Sequence, residues 1–191
     1  MKLKIVQIAL FVVAVVLAYF IYETIQTPVR FNNEKSRRAE VVIQNLKDIR
    51  QVQQIYKSLH SRFTSDFDTL INFTRTGKIP VVNIRFDPSD TTLTRTISDT
   101  IAYVTVADSL FGKRKGFNIQ DIKFIPFSNG QKFLMESGKL DKGGVMVPVY
   151  HVIAKKEYYL NGLNAELIKN PNVKDLILGS MEEPTTDGNW E

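Results

Sequence analysis

The feature that most constrains this chain is an uninterrupted apolar run near its N-terminus. Ile5 to Tyr22 reads IVQIALFVVAVVLAYFIY, in which Gln7 is the only clearly polar residue. A helix of this length covers about 27 Å, close to the roughly 30 Å of a bilayer's hydrocarbon core. The run exceeds the apolar region of about 7–15 residues in a signal peptide, and no small-x-small cleavage site follows it. We therefore expect residues 1–30 to be an uncleaved, single-pass membrane anchor.

The distribution of charge and the residue types present exclude several classes of function. The formal charge is +5, of which +4 falls within residues 1–38, so the rest of the chain is nearly neutral. A nucleic-acid-binding domain would carry a basic face, so we expect no nucleic-acid partner. With no cysteine and only two histidines, the chain is predicted to hold no disulfide, metal or cofactor. Positive residues flank both ends of the apolar run, so charge alone does not decide its orientation.

A long amphipathic helix is predicted after Pro28, from Asn33 to about Phe63, with Asn32 or Asn33 as its N-cap. Its apolar positions, interrupted by Gln53, are Val42, Leu46, Ile49, Tyr56 and Phe63. One interpretation is that this stripe covers the domain's own sheet. The other is that the part nearest the membrane, Val42, Leu46 and Ile49, packs against the helix of a partner protein.

The pattern beyond this helix predicts an α+β domain. A second, short helix is expected after Ser65 as its cap, with Gly77 ending it in the left-handed conformation before Pro80. Alternating or continuous apolar segments then predict strands at Val81–Phe86, Thr100–Val106, Ile122–Ile125, Lys132–Glu136, Val145–Ala154 and Leu176–Leu178. Short connections such as Asn129-Gly130 and Gly143-Gly144 predict a mainly antiparallel sheet.

The resulting domain organisation has three parts. Residues 1–30 form the N-terminal tail and anchor, residues 31–180 form the α+β soluble domain, and residues 181–191 form a polar tail that packs through Trp190. A helical turn capped by Asn164 is predicted near the end of the soluble domain.

Few residues suggest catalytic chemistry. Asp66 and Asp68 form a close carboxylate pair, but their position at a helix N-terminus favours stabilisation of the helix dipole. His60 and His151 have no evident catalytic partner, and Lys113 to Lys115 is predicted to be a solvated hairpin tip. We therefore predict that the protein is not an enzyme and has no catalytic residues.

The order of elements resembles type IV pilins and the pseudopilins of type II secretion. In those proteins too, an apolar helix continues into an amphipathic one that precedes a small antiparallel sheet. The stretch Ile49 to Phe73, IRQVQQIYKSLHSRFTSDFDTLINF, is similar to their helix-to-loop region. Ile5 stands where pilins have a glutamate used in assembly, and no Gly-Phe processing site precedes the apolar run.

Nearly the whole chain resembles an uncharacterised family of single-span envelope proteins of Bacteroidota. The residues that carry this resemblance are Thr27-Pro28, Phe31-Asn32, Asp48-Ile49-Arg50, Asp66 to Ile71, Gly77-Lys78, Asp99-Thr100, Asp108 to Phe111, Ile125-Pro126-Phe127 and Gly188 to Glu191. Bacteroidota also modify periplasmic proteins at Asp-Ser/Thr triplets. The candidate O-glycosylation sites of this kind are Thr69, Thr91, Thr100 and Ser109.

These observations predict an inner-membrane protein whose C-terminal domain faces the periplasm. We expect a scaffold or assembly component of a pilus- or secretion-like envelope complex, which contacts the membrane and other envelope proteins through the long helix. The alternative is an envelope binding module for a glycan or peptide, and a hydrolase is the third class considered.

Overall fold

The computed structural model describes residues 2–86 and 94–191. Its elements are α1 (Lys2–His60), α2 (Phe67–Thr76), β1 (Lys78–Phe86), β2 (Thr96–Thr105), α3 (Val106–Phe111), β3 (Leu134–Lys142), β4 (Val145–Ala154), α4 (Lys156–Tyr159), α5 (Ala165–Ile168) and β5 (Leu176–Ser180), with a 3-10 helix at Ile119–Lys123. This confirms the predicted α+β fold with antiparallel pairing. The strands form two separate sheets, one of β1 and β2 and one in the order β3-β4-β5.

The helix α1 is continuous through Pro28, so the prediction of a new helix capped by Asn32 or Asn33 is wrong. Proline removes one hydrogen bond from the preceding turn and leaves the carbonyl of Thr24 without its helical donor. Thr24 and Pro28 are both exposed, so that carbonyl is open to its surroundings. With 59 residues, the helix is about 88 Å long at the standard rise per residue.

The environment of α1 changes at Phe31. The apolar segment before it is long enough to cross a membrane, and the side chains described there are almost all exposed. From Phe31 onward one stripe of the helix is buried, and its members are Phe31, Val42, Leu46, Ile49, Val52 and Tyr56. A single helix therefore joins the apolar segment to the core of the folded domain.

The predicted partner-helix face at Val42, Leu46 and Ile49 is wrong. All three side chains have no exposed surface and belong to the domain's own core. The helix α1 packs against α2, α3, α4, the 3-10 helix and the strand β5, and the three residues lie in the core cluster. A partner helix has no access to these positions in the folded domain.

The stripe is interrupted by Gln53, which is buried with its polar groups paired. Its amide nitrogen donates to the carbonyl of Thr64 at 2.7 Å, and the N–H of Thr64 donates back to the Gln53 side-chain oxygen at 3.2 Å. Because a buried amide without partners would be costly, this pair fixes the loop that follows α1 against the helix.

The short helix α2 forms where predicted, with two differences at its ends. Its N-cap is Asp66 rather than Ser65, since the Asp66 carboxylate accepts the N–H groups of Asp68 and Thr69. Gly77 is extended (φ −64°, ψ 137°) rather than left-handed. A β-carbon there would lie 2.6 Å from the Phe73 carbonyl oxygen, so close approach of the backbone explains the glycine.

The three-stranded sheet is built around β4, whose predicted bounds are confirmed. The β3–β4 connection is a tight turn in which Gly143 and Gly144 have φ of 66° and 85°, values that favour glycine. The strand predicted at Ile122–Ile125 is wrong. Ile119–Lys123 is a 3-10 helix capped by Asn118, and only Phe124 forms a single bridge, to Lys132.

The C-terminal tail is more ordered than predicted. Trp190 packs against the core, but Gly188 also bridges Leu178, and the N–H of Asn189 donates to the Ile177 carbonyl at 2.9 Å. Arg50 of α1 binds the Glu191 side chain at 2.8 Å. The tail therefore packs back against β5 and α1.

Candidate interaction surface

The strands β1 and β2 form an antiparallel ribbon that stands apart from the other sheet. Within the described ranges, 2–86 and 94–191, no third strand pairs with either of them. At the base of the ribbon, the N–H of Val106 donates to the Gly77 carbonyl at 2.9 Å. Farther out, nearly every described residue of both strands is exposed. We refer to these two strands as the ribbon.

The register of the ribbon separates two faces, because residues directly opposite each other in a sheet share a face. One face, here called the uncharged face, is formed by the pairs Pro80–Tyr103, Val82–Thr100, Ile84–Ser98 and Phe86–Thr96. The opposite face carries the pairs Asn83–Asp99 and Arg85–Ile97. Arg85 and Asp99 form an ion pair there at 3.4 Å, which is typical of a solvated surface.

The uncharged face exposes large apolar side chains. The exposed fractions are 42% for Val82, 65% for Ile84, 59% for Phe86 and 66% for Tyr103. An isolated two-stranded ribbon is at best marginally stable in water. Contiguous apolar surface on a folded domain marks an interaction site far more often than scattered apolar residues do. The uncharged face is therefore the candidate functional surface of the domain.

The ribbon leaves the domain near the C-terminal end of α1, away from the apolar segment. Its first residue follows α2, whose Phe73 ring contacts Tyr56 and His60 of α1 with centroid distances of 5.1 Å and 5.5 Å. Tyr56 lies 25 residues beyond Phe31, which is about 38 Å along the helix axis. The helix therefore sets the height of the ribbon's base relative to the apolar segment.

Lys113 to Lys115, predicted to be a solvated tip, are all exposed, but Arg114 also forms an ion pair with a buried carboxylate. Its guanidinium binds the Asp48 carboxylate through two contacts of 2.6 Å and 2.9 Å, while the Asp48 side chain is only 1% exposed. Gln44 donates to the same carboxylate at 3.0 Å. The hydrogen bonds that Arg114 donates to the Asp48 carboxylate raise the pKa of Arg114 above its ordinary value. This pair fastens the segment after α3 to the C-terminal part of α1.

Two of the basic residues that follow the apolar segment, Arg37 and Arg38, are paired within the protein. Glu34 binds Arg37 at 2.7 Å and Arg38 at 2.9 Å. The hydrogen bond from Arg37, followed in size by the one from Arg38, lowers the pKa of Glu34 to about 2. Arg38 also donates to the Asn161 carbonyl at 2.8 Å. Both guanidinium groups lie over the ring of Phe127. This cluster fixes the loop around Phe127 to the part of α1 that follows the apolar segment.

The residues considered for catalysis have structural contacts instead of a shared site. Asp66 caps α2, and Asp68 binds Lys123 at 3.1 Å. His60 stacks on Tyr56 at 4.3 Å, and the Nε2 atom of His151 lies 3.2 Å from the Glu136 carboxylate on the adjacent strand. Among the described residues, no group of three or more His, Cys, Asp or Glu side chains is arranged to hold a metal ion.

Three of the four candidate O-glycosylation residues are exposed. These are Thr69 in α2, Thr100 in β2 and Ser109 in α3, while Thr91 lies outside the described residues. The hydroxyl of Thr69 donates to Asp66 at 2.6 Å, so its modification would compete with the cap of α2. Thr100 lies on the uncharged face of the ribbon, opposite Val82.

The fold and this surface define the chain as an α+β domain joined by one helix to an apolar segment of membrane-spanning length. Comparisons with protein-family models, with curated proteins and with solved structures found no match. The resemblance to pilin-like and Bacteroidota envelope proteins therefore stays a prediction from the sequence.

Proposed function

We propose that this protein is a membrane-anchored scaffold or assembly component of a cell-envelope complex. The observation that carries the proposal is the continuity of α1, which is exposed and apolar before Phe31 and part of the domain core after it. An anchor on a flexible linker would leave the domain free to reorient. A continuous helix instead holds the domain, and the ribbon it carries, at a defined height above the bilayer.

The proposal places the anchor in the inner membrane and the domain in the periplasm. Support comes from the length of the apolar run and from the Asp-Ser/Thr triplets, three of which present exposed hydroxyl residues. We expect alkaline phosphatase fused after Glu191 to be active, and a fluorescent protein that matures only in the cytoplasm to be dark there. Bright fluorescence without phosphatase activity would reverse the topology.

The scaffold function predicts association with other envelope proteins that depends on the anchor. We expect the tagged full chain, cross-linked in intact cells, to co-purify with at least one other envelope protein. Replacing residues 1–30 by a cleavable signal sequence releases the domain and removes the high local concentration that anchoring provides. Recovery of the partner should then fall at least about tenfold.

The released domain also serves as the control for folding, since it should be present in the periplasm at an amount comparable to that of the anchored chain. If the anchored chain is recovered without any other envelope protein, the scaffold proposal is wrong. If the partner is recovered equally well with the released domain, the anchor has no role in assembly.

A further inference from the structure

We infer that the uncharged face of the ribbon binds the same face of a second copy of this chain. The inference rests on the proposed function to the extent that anchoring holds both copies upright in one membrane. In such a scaffold, the ribbon of one copy would contact the ribbon of a second copy.

The distribution of charge favours a second copy as the occupant of this face. From Pro80 to Phe86, and across the ribbon from Thr96 to Tyr103, the residues of the uncharged face are apolar or carry only hydroxyl groups. Of the formal charge of +5, +4 falls within residues 1–38, so the net charge of the domain does not oppose contact between two copies at the ribbon. A partner chosen by charge would need charged residues on this face. Two identical uncharged faces meet without repulsion or an unpaired buried charge.

The size of the face agrees with an interface between two anchored copies. Phe86 and Tyr103 each expose more than half of their surface, as does Ile84, and Val82 exposes 42%. Given the surface of such side chains, the face presents on the order of 500 Å² per copy. A pair would bury about 1,000 Å², near the lower limit for a specific interface. Membrane anchoring raises the local concentration of the copies and makes an interface of this size sufficient.

The anchor also sets the symmetry of the contact. Two copies in one membrane are related by a two-fold axis along the membrane normal, which places their ribbons at the same height. Such an axis brings the same residues of each copy together, as a self-complementary interface requires. Sheets packed face to face lie about 10 Å apart. Ile84, at the middle of the outer part of the ribbon, should then lie opposite its counterpart within reach of a short bis-maleimide cross-linker.

The test uses single cysteines in the full chain, because the natural sequence contains none. Ile84→Cys places the thiol on the uncharged face, and Arg85→Cys, one residue later, places it on the opposite face. In membranes that contain the full chain as the only added protein, we expect bis-maleimidoethane to link Ile84→Cys into a dimer at least tenfold more efficiently than Arg85→Cys. Equal yields, or no dimer from either variant, would overturn the inference.

A second pair of variants tests whether the face supplies the affinity. Ile84→Glu introduces a charge on the uncharged face, while Asn83→Glu introduces the same charge on the opposite face. Both side chains are exposed, so the fluorescence of the single tryptophan should report the same thermal transition for both. In lipid vesicles, energy transfer between labelled copies of the full chain should show a dissociation constant at least tenfold higher for Ile84→Glu than for Asn83→Glu. A wild-type chain that stays monomeric in the vesicles at every protein density would overturn the inference.

Failure of this inference and failure of the scaffold proposal give different results. A photo-reactive phenylalanine analogue at Tyr103 in intact cells should give an adduct at twice the mass of the chain. An adduct of another mass, with none at twice the mass, would overturn self-association while leaving an envelope partner in place. Self-association without any other envelope protein in the cross-linked material would retain this inference and reject the larger complex.

Discussion

Replacing both Val42 and Leu46 with glutamate is expected to unfold the domain. Both side chains have no exposed surface and lie in the core that α1 shares with β4 and the short helices. Two carboxylates without partners would have to be buried or the core would have to open, at a cost of at least about 4 kcal/mol. Because a domain is usually stable by only about 5–15 kcal/mol, the double variant should be largely unfolded near physiological temperature.

The measurement is thermal unfolding of the full chain in detergent, followed by the fluorescence of Trp190, the single tryptophan, which packs against the core. Val41→Glu is the matched control, since Val41 is adjacent on the same helix and 42% exposed. Its effect should stay within about 0.5 kcal/mol. A double variant that melts at the wild-type temperature would show that Val42 and Leu46 are not core residues, and the partner-helix interpretation would return.

Removing the guanidinium of Arg114 is expected to have the second largest effect. Arg114→Ala removes both guanidinium contacts and leaves the buried Asp48 carboxylate with the hydrogen bond that the Gln44 amide donates at 3.0 Å. Breaking a buried pair from one side typically costs about 3–5 kcal/mol. The Arg114 side chain is 39% exposed, so solvent screens part of the interaction and we expect a loss of about 2–3 kcal/mol.

Chemical denaturation of the full chain in detergent measures this loss, with Lys113→Ala as the control from the same loop. The control should change the free energy of unfolding by less than about 0.5 kcal/mol. Adding Asp48→Asn to Arg114→Ala should recover part of the stability, because the buried group is then neutral. Equal losses for Arg114→Ala and Lys113→Ala, or no recovery in the double variant, would show that the ion pair does not stabilise the fold.

Local sequence patterns predicted the elements that depend on neighbouring residues. The segment Val145–Ala154 is almost entirely apolar, and this local pattern predicts a strand without any knowledge of the strands that pair with it. Asn164 caps α5 because its side chain accepts two backbone N–H groups within three residues. The pair Gly143-Gly144 turns between β3 and β4 because both residues adopt positive φ.

Contacts between distant parts of the chain were not predictable in the same way. Arg114 lies 66 positions from Asp48, and no spacing rule marks it apart from Lys113 and Lys115. The candidate surface was missed because alternation in β1 and β2 predicts strands but not which face stays uncovered. The signal available in the sequence was the uncharged set Val82, Ile84 and Phe86, which alternates with Asn83 and Arg85.

By itself, the sequence determined that this chain has an apolar segment of membrane-spanning length, an amphipathic helix and an antiparallel α+β domain without cysteine chemistry. These properties follow from periodicity, capping and composition, which act over a few residues. Only the tertiary structure decided that α1 runs unbroken through Pro28, that Val42, Leu46 and Ile49 are buried in the domain, and that β1 and β2 pair only with each other among the described strands. The physical reason is that an apolar stripe is buried equally well by its own domain or by another protein, and the choice depends on which surfaces the rest of the chain brings against it.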